Sequence, residues 1–296
     1  MSTSSPSPLA AAPGKLAGRL WVLAAALMWS TSGLFAKQTL FDEWPKDKRG
    51  LLFAFWRALC AALILLPMVR RPRWSPQLVP LVACFALMNA TFLTALVRTT
   101  AANAIWLQAT APWWVFVLSV FLLRQPIVRR DLIPLAFGIV GVSLILLFEI
   151  LRRQEAVGVV CGLAAGVSYA GVVVFLWRLG SDDPAWLVAL NHAVVAVVLL
   201  PCVLSWGYWP SPQQLVVLAG FGIFQMAIPY VLLIRGLRTI SSQEATAIGL
   251  IEPVLMPLWV YLSGLESPQW WTIAGASLIL VGLVLRYVVW ELVKRP

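Results

Sequence analysis

An acidic side chain stands immediately before a proline in the middle of an apolar run: Glu252, in LIEPVLMPLW. A carboxylate at mid-bilayer depth costs about 2.5 to 3.5 kcal/mol on insertion scales, so it must face other protein or water. Pro253 removes a backbone N–H and frees a carbonyl in the preceding turn, which a wet cavity would satisfy. Glu252 can then carry a proton or anchor a cationic group of a solute; the plainer alternative is an acid bonded to an interior donor. At helical spacings of three and four, Ala245, Gly249, Met256 and Trp259 share its face, and Ala104, Gln108, Ala111 and Val115 form the corresponding face of an earlier run. These two small-residue faces, with one Glu and one Gln, suit either a cavity wall or tight helix packing.

Other polar and aromatic groups lie at similar depth in their runs. His192, the only histidine, follows Asn191 and could relay protons or simply bond to a neighbouring helix. Trp29, Asn89, Thr91, Tyr169, Gln225 and Tyr230 are each candidates to line a substrate site or to glue helices together. Arg57 and Arg98 are expected near outer span ends, where they snorkel to water, with a role toward an anionic group as the alternative. Gly158, Gly162, Gly166 and Ala170 recur every fourth residue and predict close helix approach.

Several chemistries have no residues to carry them. There is no GxxxxGK[ST] loop, no HExxH helix and no GxSxG elbow. Cys60, Cys84, Cys161 and Cys202 are widely spaced inside apolar runs, without a CxxC pair, so neither a metal site nor a disulfide framework is expected. No cofactor is implied. An intramembrane enzyme acting on lipid or peptide would rest on His192 without a partnered nucleophile, a poor constellation.

The elements that position these residues follow from composition. Apolar residues make up 61% of the 296 and charged ones 11%, against roughly 45 to 50% and 25% in soluble domains. This predicts an all-α, polytopic membrane protein of ten transmembrane helices. Spans are expected near 20–38, 51–69, 77–97, 101–122 and 131–150, then 156–178, 184–205, 212–234, 243–264 and 269–291, each about long enough for a ~30 Å hydrocarbon layer. Residues 1–17 read as a cytoplasmic tail whose first fourteen, rich in Ser, Pro and Ala, are disordered by composition. The net charge of +10 is a topology signal, not a nucleic-acid footprint. With the N-terminus inside, fourteen of the 22 Lys and Arg fall on the cytoplasmic side and eight outside, which places both termini in the cytoplasm.

The chain also repeats itself. A shift of 141 residues lays Pro112 on Pro253, Gln125 on Glu266 and Gly141 on Gly282, while Trp29 and Ser30 come near Ser168 and Tyr169 at a slightly smaller shift. Two five-span halves result, 18–150 and 156–291. Five is odd, so the halves enter the membrane from opposite sides, the inverted repeat typical of secondary transporters.

The residues that carry this repeat also resemble a known family. ALVRTTAANAIWLQATAPWWVFVLSVFLLRQP (95–126) and LRTISSQEATAIGLIEPVLMPLWVYLSGLESP (237–268) both resemble the signature of EamA-type transporters of the drug/metabolite transporter superfamily, and LAAALMWSTSGLFAK (23–37) is similar to their first span. Gln125 departs from the pattern, which usually has Glu there. The resemblance names no substrate and implies that the fifth and tenth spans are peripheral; with the inverted repeat it leads to a plasma-membrane exporter or facilitator of small metabolites, such as amino acids, working by alternating access. Its expected partners are a small-molecule substrate and the lipid bilayer. Monomer and homodimer both stay open, and a non-transporting receptor or assembly factor is the remaining alternative.

Overall fold

Long apolar runs bounded by charge or proline can satisfy their backbone in lipid only as helices, and helices are what form. The computed structural model describes residues 14–121, 132–151, 156–179, 183–240, 245 and 248–285, among which there is no strand. Most of the tail (residues 1–13), Gln125, and the end of the last run with Trp290 lie outside the described residues, as do Arg124, Arg129, Arg130, Arg152, Arg153, Arg286, Lys294 and Arg295.

The helices are α1 (Lys15–Trp29), α2 (Ser32–Ala36), α3 (Lys46–Leu65), α4 (Leu78–Arg98), α5 (Ala101–Gln108) and α6 (Ala111–Phe121). They continue with α7 (Leu132–Leu151), α8 (Ala156–Leu179), α9 (Pro184–Trp206), α10 (Pro212–Gly222), α11 (Ile228–Leu237), α12 (Ile251–Leu262) and α13 (Trp270–Val284). A π-helical stretch, Ile223–Ala227, joins α10 to α11. Six continuous segments are long and apolar enough to cross a membrane, and Ala136–Phe148, Ile251–Leu262 and Trp270–Val284 are shorter apolar helices. Leu63, Val79, Val160, Val197 and Val216 stand exposed on the outside, where only lipid would cover them.

Each half packs on the other. α1 lies on α11, α3 on α9, α4 on α8, α5 on α12 and α7 on α13. Small residues permit the approach: a Cβ on Gly141 would come within 2.6 Å of the Gly275 carbonyl, and one on Gly275 within 2.6 Å of the Gly141 carbonyl. The predicted stripe on α8 behaves as its spacing implies. Gly158 abuts Thr99, Gly162 abuts Leu107, and Gly166 abuts Thr110 and the Leu107 carbonyl.

Contacts between loops sort them into two ends. At one end Gln214 donates to the Leu40 carbonyl (2.8 Å) and Lys48 sits over the rings of Trp206 and Tyr208. At the same end Lys37 pairs with Glu266. At the other end Asp183 accepts from the backbone N–H of Arg70 and Arg71 (3.1 Å each), and Trp186 donates to the Arg73 carbonyl. This grouping follows the alternation of the predicted spans.

Candidate functional site

Three of the predicted spans are interrupted near their middle. The first stops at Trp29 and restarts at Ser32; Ser30 and Thr31 turn their hydroxyls back to the carbonyls of Leu27 and Met28 (2.7 Å each), competing with the helix. The fourth stops at Gln108 and restarts at Ala111. The ninth turns at Leu250, and α12 begins at Ile251. The last two breaks coincide under the 141-residue shift, since Ala109 lies on Leu250. Prolines account for both: Pro112 can give no hydrogen bond to the carbonyl of residue 108, nor Pro253 to that of residue 249, and each ladder fails just beyond. Glu252 therefore sits in the first turn of a half-helix, where the positive end of the helix dipole favours its carboxylate.

Around these breaks the structure gathers most of the predicted site. Tyr230 on α11 meets the Trp29 ring edge-on at 5.2 Å, the His192 ring at 6.2 Å and the Phe85 ring at 6.4 Å. Tyr169 on α8 and Glu252 lie within electrostatic reach of each other and of Tyr230. Tyr169 is enclosed by neighbouring helices yet 37% exposed, and Trp29, Tyr230 and Glu252 are half-buried, so these four border open space inside the bundle. A Cβ on Gly249, one turn before Glu252, would meet nothing within 4 Å. Asn89 and His192 are fully buried, His192 beside the Tyr230 ring and Asn89 bonded to Arg57. His192 Nδ1 lies 2.8 Å from the Val188 carbonyl, which can only accept, so Nδ1 carries the proton and Nε2 presents a lone pair.

Other candidates are placed elsewhere. Gln225 is buried, and its amide nitrogen donates to the carbonyls of Met28 and Trp29 (2.9 Å for the latter) and to the Thr31 hydroxyl (3.0 Å). It holds the break in the first span to the π-helical stretch; it does not face the open space. Trp259 secures the same break from α12 through its indole N–H to the Ser30 hydroxyl (2.9 Å). Gln108 ends α5 half-buried, with no hydrogen bond tying its side chain to the cluster. Its companions Ala104 and Ala111 are buried, so that face is packed. Thr91 turns its hydroxyl back to the Leu87 carbonyl (2.7 Å).

Arg57 is the residue that sequence reasoning misplaced. Expected at a span end, it is 1% exposed in the middle of α3. Charged residues 46–49 open the helix, and Arg57 lies eleven residues in, ~16 Å along its axis from Lys46. Its Nη2 donates to Asn89 Oδ1 at 2.5 Å, and its guanidinium lies 4.9 Å from the centre of the Phe221 ring. Arg98, by contrast, is the last residue of α4, at the expected end.

Two further features frame the site. Glu266 accepts from the Ala101 N–H (2.8 Å) at the start of α5, and Lys37 also donates to the Thr99 carbonyl (2.7 Å), so one clasp joins α2, α5 and the α12–α13 connection. A separate apolar groove of about 210 Å³ runs between α5, α12 and α13, lined by Trp106, Pro253, Val254, Pro257 and Ile273, and contains none of the polar cluster.

Two packed helical halves with broken spans and an enclosed polar cluster describe a membrane transporter, and comparison with known proteins agrees. The EamA-like transporter family matches residues 16–147 and again 156–288, and the chain belongs to that family. A protein of Archaeoglobus fulgidus named an uncharacterized transporter is 26% identical over 273 residues, covering 91% of this chain and 96% of its own. The uncharacterized transporter YwfM of Bacillus subtilis is 25% identical over 280 residues, covering 90% and 92%. A solved crystal structure superposes with a TM-score of 0.65 over 96% of this chain and all of its own, at 18% identity, and shares the fold.

Proposed function

We propose that the chain is a secondary transporter, an exporter or facilitator of small metabolites such as amino acids and related compounds, working by alternating access in the plasma membrane. Ten spans in two inverted halves, 18–150 and 156–291, follow residues 1–17, with both termini cytoplasmic. The observation that carries this reading is the coincidence of three broken spans with one partly open polar cluster between the halves. Broken helices at mid-depth are how transporters expose backbone dipoles to a solute. Glu252 at a half-helix start, with Tyr169, Tyr230 and Trp29 around the same space, offers a carboxylate and aromatic faces to a solute bearing an amine and an apolar body. Two sets of contacts, the Lys37–Glu266 clasp at one end and the Asp183 contacts at the other, are the ties that alternating access would break in turn.

Reconstitution in sealed liposomes tests the reading. Counterflow of a panel of amino acids and related metabolites should show at least one solute crossing unchanged, faster than in protein-free vesicles. If no solute on the panel does so, the transport proposal fails; if a solute or lipid is chemically altered, the rival of an intramembrane enzyme takes its place.

A further inference from the structure

Among the described residues, the side chain with the most unpartnered buried donors is a cation. Arg57 has one hydrogen bond, to Asn89, and its Nε and Nη1 are buried without a partner, as is Asn89 Nδ2. A guanidinium does not shed its charge in a protein. An unpaired buried charge costs several kcal/mol, and among the described residues no carboxylate pairs with this one; its only other compensation is the face of Phe221. Tying α3 to α4 through one amide oxygen would need only a single donor, whereas Nε–H and Nη1–H, on either side of the bonded Nη2, stay unused, and donors set in one plane like these suit the oxygens of an oxyanion.

We propose that Arg57 and Asn89 form a subsite for an anionic oxygen group of the transported solute, a carboxylate or a phosphate. Three N–H groups, Arg57 Nε, Arg57 Nη1 and Asn89 Nδ2, are free to receive it. His192, within electrostatic reach of Arg57, turns a lone pair inward and so adds no donor for the anion. Tyr230 is within electrostatic reach of Arg57, Glu252 and Tyr169, so it links the buried donors to the residues that border the open space. The subsite is closed in this conformation, and the Tyr230 side chain must swing aside to admit a ligand. The backbone beside it is closely packed, with Gly222 of α10 so near the Arg57 carbonyl that a Cβ would lie 2.5 Å away.

The identity of the ligand as a solute rests on the transport reading; the anion subsite itself does not. The test is thermal stabilisation of the purified full chain by matched probes: L-leucine and L-leucinamide, L-phenylalanine and its amide, glycerol 3-phosphate and glycerol. The wild type should be stabilised by the acid of at least one pair and not by its neutral-headed partner, and the responding pair says whether carboxylate or phosphate is the group. Arg57→Gln should need about 10- to 100-fold more of that probe, the range of one charged hydrogen bond, and Arg57→Lys should recover part of the loss. Without probe, Arg57→Met should melt no lower than wild type, since it removes an unpaired buried charge. The subsite is overturned if no acid or phosphate probe stabilises the wild type, if acid and amide act alike, or if Arg57→Gln responds as wild type does. Equal counterflow by wild type and Arg57→Gln would likewise overturn it while leaving transport intact. A wild type that binds an acid probe through Arg57 but moves no solute would instead overturn transport and leave the subsite standing.

Discussion

Replacing Glu266 with leucine should loosen the end of the molecule at which Lys37 sits. The carboxylate makes two contacts, the ion pair with Lys37 and the hydrogen bond from the Ala101 N–H, with side-chain exposures of 14% for Lys37 and 22% for Glu266. The bond to Ala101 is charge-assisted and lies at the positive end of α5, where such a contact contributes about 1.5 to 3 kcal/mol. The ion pair adds less. Lys37 keeps the Thr99 carbonyl and has a stem long enough to reach water, so its share is discounted to that of an exposed pair, about 0.2 to 1 kcal/mol. Together the loss is about 1.7 to 4 kcal/mol, equivalent to a roughly 15- to 700-fold larger population of the opened end at 1.4 kcal/mol per decade. Hydrogen exchange in a peptide spanning residues 99–106, followed by mass spectrometry in nanodiscs, reads that population directly. Glu266→Gln, which can still accept from Ala101, should show a smaller rise. Adding Lys37→Met to Glu266→Leu should cost less than the sum of the two changes, because the partners share one contact. Exchange in Glu266→Leu within about threefold of wild type would refute the clasp as an energetic tie.

Glu252→Gln should abolish any dependence of flux on the pH gradient while sparing binding if Glu252 carries the proton, and should weaken binding of amine-bearing solutes at every pH if it anchors an amine; normal, still pH-dependent flux removes it from the site. In a background lacking the four native cysteines, an impermeant thiol reagent on intact cells should label a cysteine at Gln38 and not one at Ser75, and the reverse pattern overturns the orientation. Partial burial pushes the Asp183 carboxyl up, but the backbone N–H groups of Arg70, Arg71, Ala185 and Trp186 outweigh this and hold it below its ordinary 3.8. Its contribution is thus fully present above about pH 4 and lost only as pH falls through the lower folded value. The melting difference between wild type and Asp183→Ala should therefore stay constant from about pH 8 to 5 and shrink below about 4; a difference that fades between 8 and 5 would refute that assignment.

How much of the site could be read from the chain depends on where each residue's partner lies. Glu252 was legible because the cost of a carboxylate in an apolar run is local and needs no partner to be recognised. The glycine stripe of α8 was legible because its period is a property of one helix, and the breaks at Ala109 and Leu250 were within reach because each follows from a proline three residues on. The break at Ser30 and Thr31 has no proline; two hydroxyls that bond backwards make it, and an amide from a helix nearly 200 residues away holds it. Gln225 therefore stayed open between cavity lining and helix glue, since nothing in its own run shows that its partners are carbonyls freed by a distant turn. Arg57 failed for a different reason. Its position in the run says how far it lies from a span end but not which neighbours close over it, and the two that do, Asn89 of α4 and Phe221 of α10, are in other runs. That difference is small for an apolar residue and decisive for a charged one, because a guanidinium free to snorkel is an anchor for topology, whereas one enclosed by its neighbours is a buried cation that calls for an anion.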